Sequence, residues 1–539
     1  MPRIALSHLK NALLGTIAAV GLTAFTLAAS PAAAQVTAFK QAVAEAAWDD
    51  EDIAAFYRQS DYAPIWTGAG DADRARRAAL IEALSDTYIH ALPAGRYDVD
   101  GLIQAMREAQ TTRDLGLLEV RMSKVFLQYA REVQNGFLTP SKVDSGLVRE
   151  ILYTDRTELL SGFAGADPFE YISTLPPQTR QYLALTKARI KLERLVAEGG
   201  WGPQVTGGAL KPGQSDDTVV ALRNRLQRMG YMGRSATRTY DADLEKAVAD
   251  FQRAHGLEVD GVAGSGTINE INVNAEQRLK SVLVAMERER WLNRDLGDSH
   301  VMVNLTDFHA KIVDNGAVSF ETRSVVGKNR ESHRSPEFSD VMEHMIINPS
   351  WHVPRSIITK EYLPALQENP NAVSHLIITD SRGRQVDRST MDFSTFSSSS
   401  FPFDMRQPPG NHNALGLVKF MFPNKHNIYL HDTPQKALFK REVRAFSHGC
   451  IRLAQPFDFA YELLSRQVVD PETYFHDILD SKSETKVELV KPLPVHIIYR
   501  TAFVTTDGQI EYRRDVYGRD GRIWDALVAA GVELNDVRG

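Results

Sequence analysis

The sequence contains almost no cysteine: Cys450 is the single thiol in 539 residues. A chain with one thiol forms no intramolecular disulfide, so its stability must come from packed cores. An excess of basic residues is also lacking, with 62 Lys and Arg against 68 Asp and Glu and a net charge of -6. This balance gives no support to nucleic-acid binding, which usually needs a basic surface.

Long apolar runs are missing after the first 34 residues. Near the amino terminus, basic residues precede an uncharged apolar run, and three alanines stand before Gln35. This order is typical of a cleaved signal peptide. A membrane anchor is the alternative, although a run of about 17 to 19 residues is short for a bilayer span. We predict that residues 1–34 are removed and that the mature chain is periplasmic.

The first half of the remaining chain has a helical pattern. Residues 35–200 carry apolar residues at three- and four-residue spacing, as in EVRMSKVFLQYAREVQNGFL. A Gly- and Pro-rich stretch at 198–214 predicts a linker. Two amphipathic segments then predict a small helical bundle over residues 208–275. We expect a helical scaffold domain followed by this compact module.

The second half changes to strands. Residues 298–500 alternate apolar and polar side chains, with Asn315-Gly316 as a hairpin turn and one helix, PFDFAYELLSRQV, after the cysteine. Residues 355–408 interrupt this pattern with a helical piece and a serine run but no regular strand, which predicts an inserted cap or lid. Residues 501–539 are expected to pack on the scaffold or the β-rich domain. The fold class is therefore α+β and multi-domain.

A base for thiol chemistry stands in IYLHDTP, nineteen residues before Cys450. Strand alternation places Tyr429 and His431 on one face and turns the Asp432 side chain to the other. An imidazole needs a partner on its second nitrogen to fix its tautomer. We expect a backbone carbonyl near Asp432 to supply that partner.

The residues around the thiol also suit acyl chemistry. Gly449 permits a tight turn, so the amides of Gly449 and Cys450 are candidate oxyanion donors. Arg452 is suited to binding a carboxylate, although an ordinary ion pair would explain it equally well. Other interpretations are a buried inert thiol, a structural role for His448, and a zinc site of His431, His448 and Cys450. The spacing of that trio matches no common zinc pattern.

His431 followed after fifteen residues by Ser-His-Gly-Cys resembles the signature of the L,D-transpeptidase family. NPSWHVPRSI, PPGNHNALGLVKFMFPN and YGRDGRIWDAL resemble stretches of its large, multi-domain periplasmic members. AVADFQRAHGLEVDGVAGSGT resembles a peptidoglycan-binding module, which serves either as a binder or as a spacer. The resemblance covers nearly the whole chain after residue 34. It implies a helical scaffold, a peptidoglycan-binding module and a β-rich catalytic domain with a cap.

The resemblance also implies a reaction. A thiolate attacks the third-residue carbonyl of a tetrapeptide stem, D-alanine leaves, and a side-chain amine of a second stem takes the acyl group. No metal or organic cofactor is implied. The implied catalytic residues are Cys450, His431, His448 and Gly449, and the implied substrate-binding residues are Arg452, Tyr429, Trp351, Asn413 and Ser447.

Two rival functions remain open from the sequence. The same acyl-enzyme would be hydrolysed in an L,D-carboxypeptidase or endopeptidase, and a non-catalytic wall-binding protein would not use its thiol. The predicted partners are donor and acceptor stem peptides, with wall-synthesis enzymes as further candidates. We expect no nucleic acid and no membrane span in the mature chain.

Overall fold

The computed structural model describes residues 31–505 and 508–534. Residues 1–30 of the predicted signal peptide therefore lie outside the described residues. Within the described ranges, no helix is long and apolar enough to cross a membrane.

The amino-terminal part is helical, as its periodicity predicts. Its aromatic core contains Trp66, which is fully buried and stacks on Phe163 with ring centroids 5.0 Å apart. Its longest helix ends at Gly136, where a φ of +81° stops the helix. The helices are α1 (Pro31–Ala46), α2 (Glu51–Gln59), α3 (Asp71–Ser85), α4 (Val99–Glu108), α5 (Thr112–Asn135), α6 (Pro140–Val143), α7 (Arg156–Gly165), α8 (Pro168–Thr174) and α9 (Arg180–Ala197).

A small three-helix unit follows the Gly- and Pro-rich stretch. It consists of α10 (Asp217–Met229), α11 (Ala242–Ala254) and α12 (Ser265–Ile271). The apolar faces of α10 and α11 form its core, and Val205 and Leu210 of the preceding stretch are buried in the same core. The predicted linker is thus partly anchored to the unit that it precedes.

The next helix, α13 (Ala275–Trp291), is buried although it is rich in charge. Glu287 is fully buried; its carboxylate accepts the backbone N–H of Leu138 at 2.9 Å and pairs with Arg290. Burying charges is costly unless each finds a partner. Such partners allow the charged helix α13 to be buried between the helical part and the β-rich part.

The β-rich part is built on a nine-stranded mixed sheet in the order β10-β3-β11-β9-β8-β4-β12-β1-β2, and β2 also pairs with β3. Asn315 and Gly316 form the β2–β3 turn with positive φ, as the sequence predicts. The strands are β1 (Ser299–Asn304), β2 (His309–Asp314), β3 (Ala317–Gly327), β4 (Phe338–Ile347), β5 (Trp351–His352), β6 (Ile377–Thr379), β7 (Asp404–Gln407), β8 (Val418–Met421), β9 (Leu430–His431), β10 (Ala445–Ser447), β11 (Ile451–Leu453), β12 (Thr485–Ile498), β13 (Ala502–Val504) and β14 (Ile510–Tyr512).

Helices cover and extend this sheet. The sequence predicted one helix between the cysteine and residue 500, but the structure has two, because Asp470 caps a second helix that begins with Pro471. The helices of this part are α14 (Arg355–Ile357), α15 (Leu363–Glu368), α16 (Pro456–Leu464), α17 (Pro471–Asp480) and α18 (Arg519–Ala529), and a π-helical turn joins α14 to α15.

The segment 355–408 has its own core of aromatic and aliphatic side chains. The expectation that it lacks regular strands is wrong, because β6 and β7 pair with each other and β7 pairs with β5. These strands span two to four residues, which is too short for alternation to show in a sequence. We keep the name cap for residues 355–408.

The carboxyl-terminal segment contacts the helical part, the three-helix unit and the β-rich part. The backbone N–H of Val504 donates to Gln181 of α9, and Tyr512 stacks on His255, the residue that follows α11. The Tyr517 hydroxyl donates to the carbonyl of Gly327 at the end of β3. Through these contacts the carboxyl-terminal segment connects the helical part, the three-helix unit and the β-rich part.

The buried carboxylate of Glu337 pairs with arginines of α13 and α18, and these pairs lead to a prediction about stability. Its carboxylate lies 2.9 Å from Arg288 of α13 and 3.2 Å from Arg519 of α18, and all three side chains are buried. Glu337→Gln leaves both guanidinium groups without this counter-charge. We expect the free energy of unfolding to fall by about 3 kcal/mol, measured by urea denaturation followed through tryptophan fluorescence.

The matched control is Glu51→Gln, which removes a carboxylate from an exposed pair with Arg58. Exposed pairs contribute less than about 1 kcal/mol, so this variant should unfold almost like the parent protein. Equal losses in the two variants would contradict a structural role for the buried network.

Candidate active site

The thiol lies in a tight loop between β10 and β11. Gly449 takes a φ of +118°, and the Ser447 hydroxyl accepts its N–H at 3.1 Å while donating to the Cys450 carbonyl at 2.5 Å. The Ser335 hydroxyl donates to the Gly449 carbonyl at 2.6 Å. These bonds fix the backbone on both sides of the half-buried Cys450.

His431 ends β9 and is almost fully buried. Its Nδ1 lies 2.5 Å from the Asp432 carbonyl oxygen, as the sequence analysis expected. A carbonyl only accepts hydrogen bonds, so the proton is on Nδ1 and Nε2 carries the lone pair. The Asp432 carboxylate turns away and accepts the Leu417 N–H at 2.9 Å.

Parallel pairing of β9 with β11 brings the two elements together. Ile451 pairs with Leu430 and Arg452 with His431, so Cys450 lies diagonally from His431 on the same face. Strand spacing and rise place such diagonal Cα atoms about 8 Å apart, within reach of a cysteine and a histidine side chain. The thiol itself points to the Asn427 carbonyl at 3.4 Å.

Burial keeps both groups neutral. It raises the pKa of the Cys450 thiol to about 11, against the opposing effects of hydrogen bonds from Tyr429 and the charges of Arg452 and Lys419. Burial, followed by the charge of Arg452, lowers the pKa of His431 to about 3. At neutral pH the site holds a thiol and a neutral imidazole, and the imidazole lone pair is the group that can accept a proton.

Tyr429 connects the thiol to the cap. Its hydroxyl lies near the Cys450 sulfur and the Trp351 side chain, and burial raises the pKa of this hydroxyl. The ring also meets His431 edge-on, with centroids 5.6 Å apart. The Tyr429 hydroxyl thus stays protonated beside the sulfur, close to Trp351 of β5.

Arg452 lies half-buried next to this group. One of its guanidinium nitrogens donates to the Gln435 side-chain oxygen at 2.6 Å. In the described ranges it forms no ion pair with a carboxylate, and its buried Nε has no hydrogen-bond partner. This leaves the guanidinium with unused capacity for an anionic group.

Two sequence-predicted site residues, Asn413 and Ser447, form hydrogen bonds with the backbone around them. Asn413, which the sequence predicts in the cleft lining, is buried; its side-chain nitrogen donates to the carbonyls of Gln407 and Pro408, and its side-chain oxygen accepts the Leu415 N–H. Ser447 is likewise buried with its hydroxyl used inside the loop.

The sequence predicts the Gly449 amide as one of two oxyanion donors. This amide donates to Ser447 and is not available as an oxyanion donor in this conformation. The amide of Cys450 has no acceptor among residues 31–505 and 508–534. Of the two backbone amides that the sequence predicts as oxyanion donors, the Cys450 amide is therefore the one without an acceptor in the described residues.

His448 contacts the cap. Its Nε2 lies 2.8 Å from the carboxylate of Glu361, and its ring is 4.5 Å from that of His333. Sequence reasoning missed His333 and Glu361, as well as Asn427. None of the three stands in the histidine–cysteine signature, and no local pattern marks them, because tertiary folding alone brings them to the site.

Three family models match consecutive parts of the chain. Residues 298–472 match the L,D-transpeptidase catalytic domain (YkuD), residues 51–188 match a scaffold domain, and residues 215–271 match a domain described as "putative peptidoglycan binding domain". The L,D-transpeptidase catalytic domain, the module and the scaffold predicted from the sequence are thereby confirmed.

One curated protein is similar to part of the chain. A "Putative L,D-transpeptidase" of Haemophilus influenzae is 32% identical over 254 residues, which are 45% of this chain and 50% of that protein. The chain thus aligns with about half the length of this curated relative.

Two solved structures also align. The L,D-transpeptidase of Xylanimonas cellulosilytica is 16% identical, with 55% of this chain and 98% of that chain covered and a TM-score of 0.17. The L,D-transpeptidase of Stackebrandtia nassauensis is 13% identical, with 55% and 97% covered and a TM-score of 0.22. TM-scores this low do not establish a shared fold.

The raised pKa of Cys450 generates a prediction about alkylation. Iodoacetamide reacts with the thiolate, and burial of the neutral thiol holds its pKa at about 11. The alkylation rate should rise about tenfold per pH unit between pH 7 and pH 10, measured by intact mass against time. Because the chain has one cysteine, no other thiol contributes. A rate that is already constant below pH 7 would show a preformed thiolate and contradict this assignment.

Proposed function

We propose that this chain, whose residues 298–472 match an L,D-transpeptidase catalytic domain, is a peptidoglycan L,D-transpeptidase that cross-links two stem peptides. The observation that supports this most is the β9–β11 pairing, which places Cys450 and His431 on one face. A nucleophile beside a base that is itself oriented by a third group is the general requirement for covalent catalysis. Here the Asp432 carbonyl is that third group.

In the first half-reaction the sulfur attacks the carbonyl of the third residue of a tetrapeptide stem. The thiol proton passes to Nε2 of His431 as the carbon–sulfur bond forms. The carbon–nitrogen bond to D-alanine then breaks, and His431 returns the proton to the leaving amine. The product is a thioester on Cys450, formed without ATP or a metal ion.

In the second half-reaction an amine takes the acyl group. The side-chain amine of a diamino acid on a second stem attacks the thioester and passes a proton through His431 to the departing sulfur. A new amide joins the third residues of the two stems, and the thiol is restored. The energy of the first amide is kept in the thioester until this step.

Hydrogen-bond donors near the sulfur suit the charge that develops on the carbonyl oxygen. The Tyr429 hydroxyl and the free amide of Cys450 are the candidates, since the Gly449 amide is already used. Arg452 has unused capacity for a carboxylate of the donor stem. Trp351 lies near the Tyr429 hydroxyl and is a candidate for positioning it.

The cap bears on the choice between transfer and hydrolysis. It carries Glu361, which bonds to His448 two residues before the thiol, so the cap contacts the loop that holds the nucleophile. Exclusion of water from a thioester favours attack by a bound amine. This supports transfer over an L,D-carboxypeptidase or endopeptidase activity.

The other domains fit the same location and substrate. The three-helix unit matches a peptidoglycan-binding domain, and both it and the catalytic domain are those of proteins that act outside the cytoplasm. We assign the chain to the periplasm and take peptidoglycan stems as both donor and acceptor.

Product analysis with purified tetrapeptide-bearing wall fragments tests the reaction. Cross-linked dimer and free D-alanine should appear with the parent protein and disappear with Cys450→Ala. His431→Ala should lower the rate by about 10²- to 10⁴-fold, because it removes the proton acceptor. The double variant should be no slower than Cys450→Ala, since the two residues act as a unit.

His375→Ala is the matched control, because this exposed cap histidine forms no side-chain hydrogen bond in the described structure. It should keep the parent rate. Trimmed monomer without dimer would establish hydrolysis instead of transfer. Wall binding with no product from the parent protein would establish the non-catalytic alternative.

Carbapenem acylation provides a second prediction. A β-lactam carbonyl presents the same electrophile to the thiol, and ring opening leaves a covalent adduct. We expect one adduct per chain on the peptide that contains residue 450, detected by mass spectrometry after digestion. An adduct confined to other peptides would contradict a competent thiol at this position.

A further inference from the structure

Three side chains of metal-ligand type meet where the cap contacts the thiol loop, and no step of the proposed acyl transfer uses them. His333 belongs to the short 3₁₀ turn Glu331–His333, Glu361 to the cap, and His448 to the loop that precedes Cys450. One ligand atom of each lies within 4.8 Å of the others. The segments are far apart in sequence, so the cluster is a product of the tertiary fold.

The separations suit a single ion. Glu361 Oε1 lies 2.8 Å from His448 Nε2 and 3.7 Å from His333 Nε2. Ligands bound to Zn²⁺ at about 2.1 Å in tetrahedral geometry lie about 3.4 Å apart. The two observed distances bracket this value, so small side-chain adjustments suffice. Two histidines and a glutamate with one open position is a known zinc ligand set.

The His333 ring is already oriented for such a role. Its Nδ1 lies 2.8 Å from the hydroxyl of Ser332, which leaves Nε2 directed at the carboxylate of Glu361. An outer partner on the second ring nitrogen is the usual companion of a metal-binding histidine, because it fixes tautomer and direction.

A second cluster in the described chain lacks this capacity. Asp307, His309 and Glu321 also converge, but the guanidinium of Arg513 already lies 2.5 Å from the Asp307 carboxylate. That arginine supplies the positive charge which an ion would otherwise bring. No arginine or lysine is paired with Glu361 within the described ranges, where its partners are the two histidines.

Nearby charge works against a cation at the first cluster. Lys328 and Arg330 act electrostatically on His333, and Lys328 also acts on Glu361. Affinity must therefore come from the imidazole and carboxylate bonds. This favours borderline ions such as Zn²⁺, which prefer imidazole, over Ca²⁺ or Mg²⁺, which prefer oxygen alone.

We propose that His333, Glu361 and His448 form a binding site for one Zn²⁺ ion that fastens the cap to the loop carrying Cys450. The site is distinct from the His431, His448 and Cys450 trio considered from the sequence, and it uses no sulfur. Its ligands come from both sides of the cap contact. Bound zinc therefore replaces a single hydrogen bond by a coordinate link across that contact.

The site is tested by measuring the equilibrium binding of Zn²⁺ to the Cys450→Ala variant, prepared without a histidine tag. This variant has no thiol to bind the ion and no nucleophile, so the result does not depend on catalysis. We expect one ion per chain by calorimetry. Glu361→Gln and His333→Gln should each weaken binding by at least about tenfold. His309→Gln, in the second cluster, is the matched control and should bind like Cys450→Ala alone.

Three results would overturn the proposal. The first is that Zn²⁺ does not bind. The second is that Glu361→Gln and His333→Gln bind Zn²⁺ as tightly as Cys450→Ala alone. The third is that the parent protein binds Zn²⁺ but Cys450→Ala does not. Co²⁺ gives an independent readout, because a thiolate ligand produces a charge-transfer band that the proposed ligands lack. The expected cobalt spectrum of the parent protein has d–d bands without that band.

Hydrogen exchange tests the fastening of the cap. Zn²⁺ should slow amide exchange across residues 358–368 in Cys450→Ala, and the same concentration should leave Glu361→Gln unchanged. Binding at the stated stoichiometry without slower exchange would overturn the cap link. Because these measurements use a variant without the thiol, their outcome is independent of whether the protein is a transpeptidase.

Discussion

The parallel pairing of β9 with β11 is the constraint on which the site depends. It brings a thiol and an imidazole, nineteen residues apart in the chain, to one face of the sheet. The same register places Arg452 beside His431 and Tyr429 beside the sulfur. A shift of one residue would turn His431 to the opposite face and leave the sulfur without a base.

This pairing rests on contacts from distant parts of the chain. Ser335 holds the Gly449 carbonyl, and the carboxyl-terminal Tyr517 bonds to Gly327 on the neighbouring strand. Arg519 and Arg288 then share the buried carboxylate of Glu337 and connect that region to α13. The helical part and the carboxyl-terminal segment thus support the loop that carries the nucleophile, which links the multi-domain architecture to the chemistry.

The sequence predicted what local periodicity and a fixed motif determine. Alternation gave the shared face of Tyr429 and His431, and the carbonyl partner of the imidazole follows from the direction of the Asp432 side chain. It did not predict the strands of the cap, which are too short to alternate. Nor did it predict the internal bonds of Asn413 or the approach of Glu361 to His448, because these depend on loop conformation and on chain segments far apart in sequence.

The most direct measurement is of the covalent attachment of the donor stem to Cys450. The protein is mixed rapidly with a tetrapeptide-bearing fragment, with no acceptor amine present. The reaction is then quenched with acid and the protein is analysed by mass spectrometry. A thioester at residue 450 should form together with the release of D-alanine and should form far more slowly in His431→Ala. Release of D-alanine at the parent rate by Cys450→Ala, or turnover with no adduct at this residue, would contradict a thiol nucleophile served by His431.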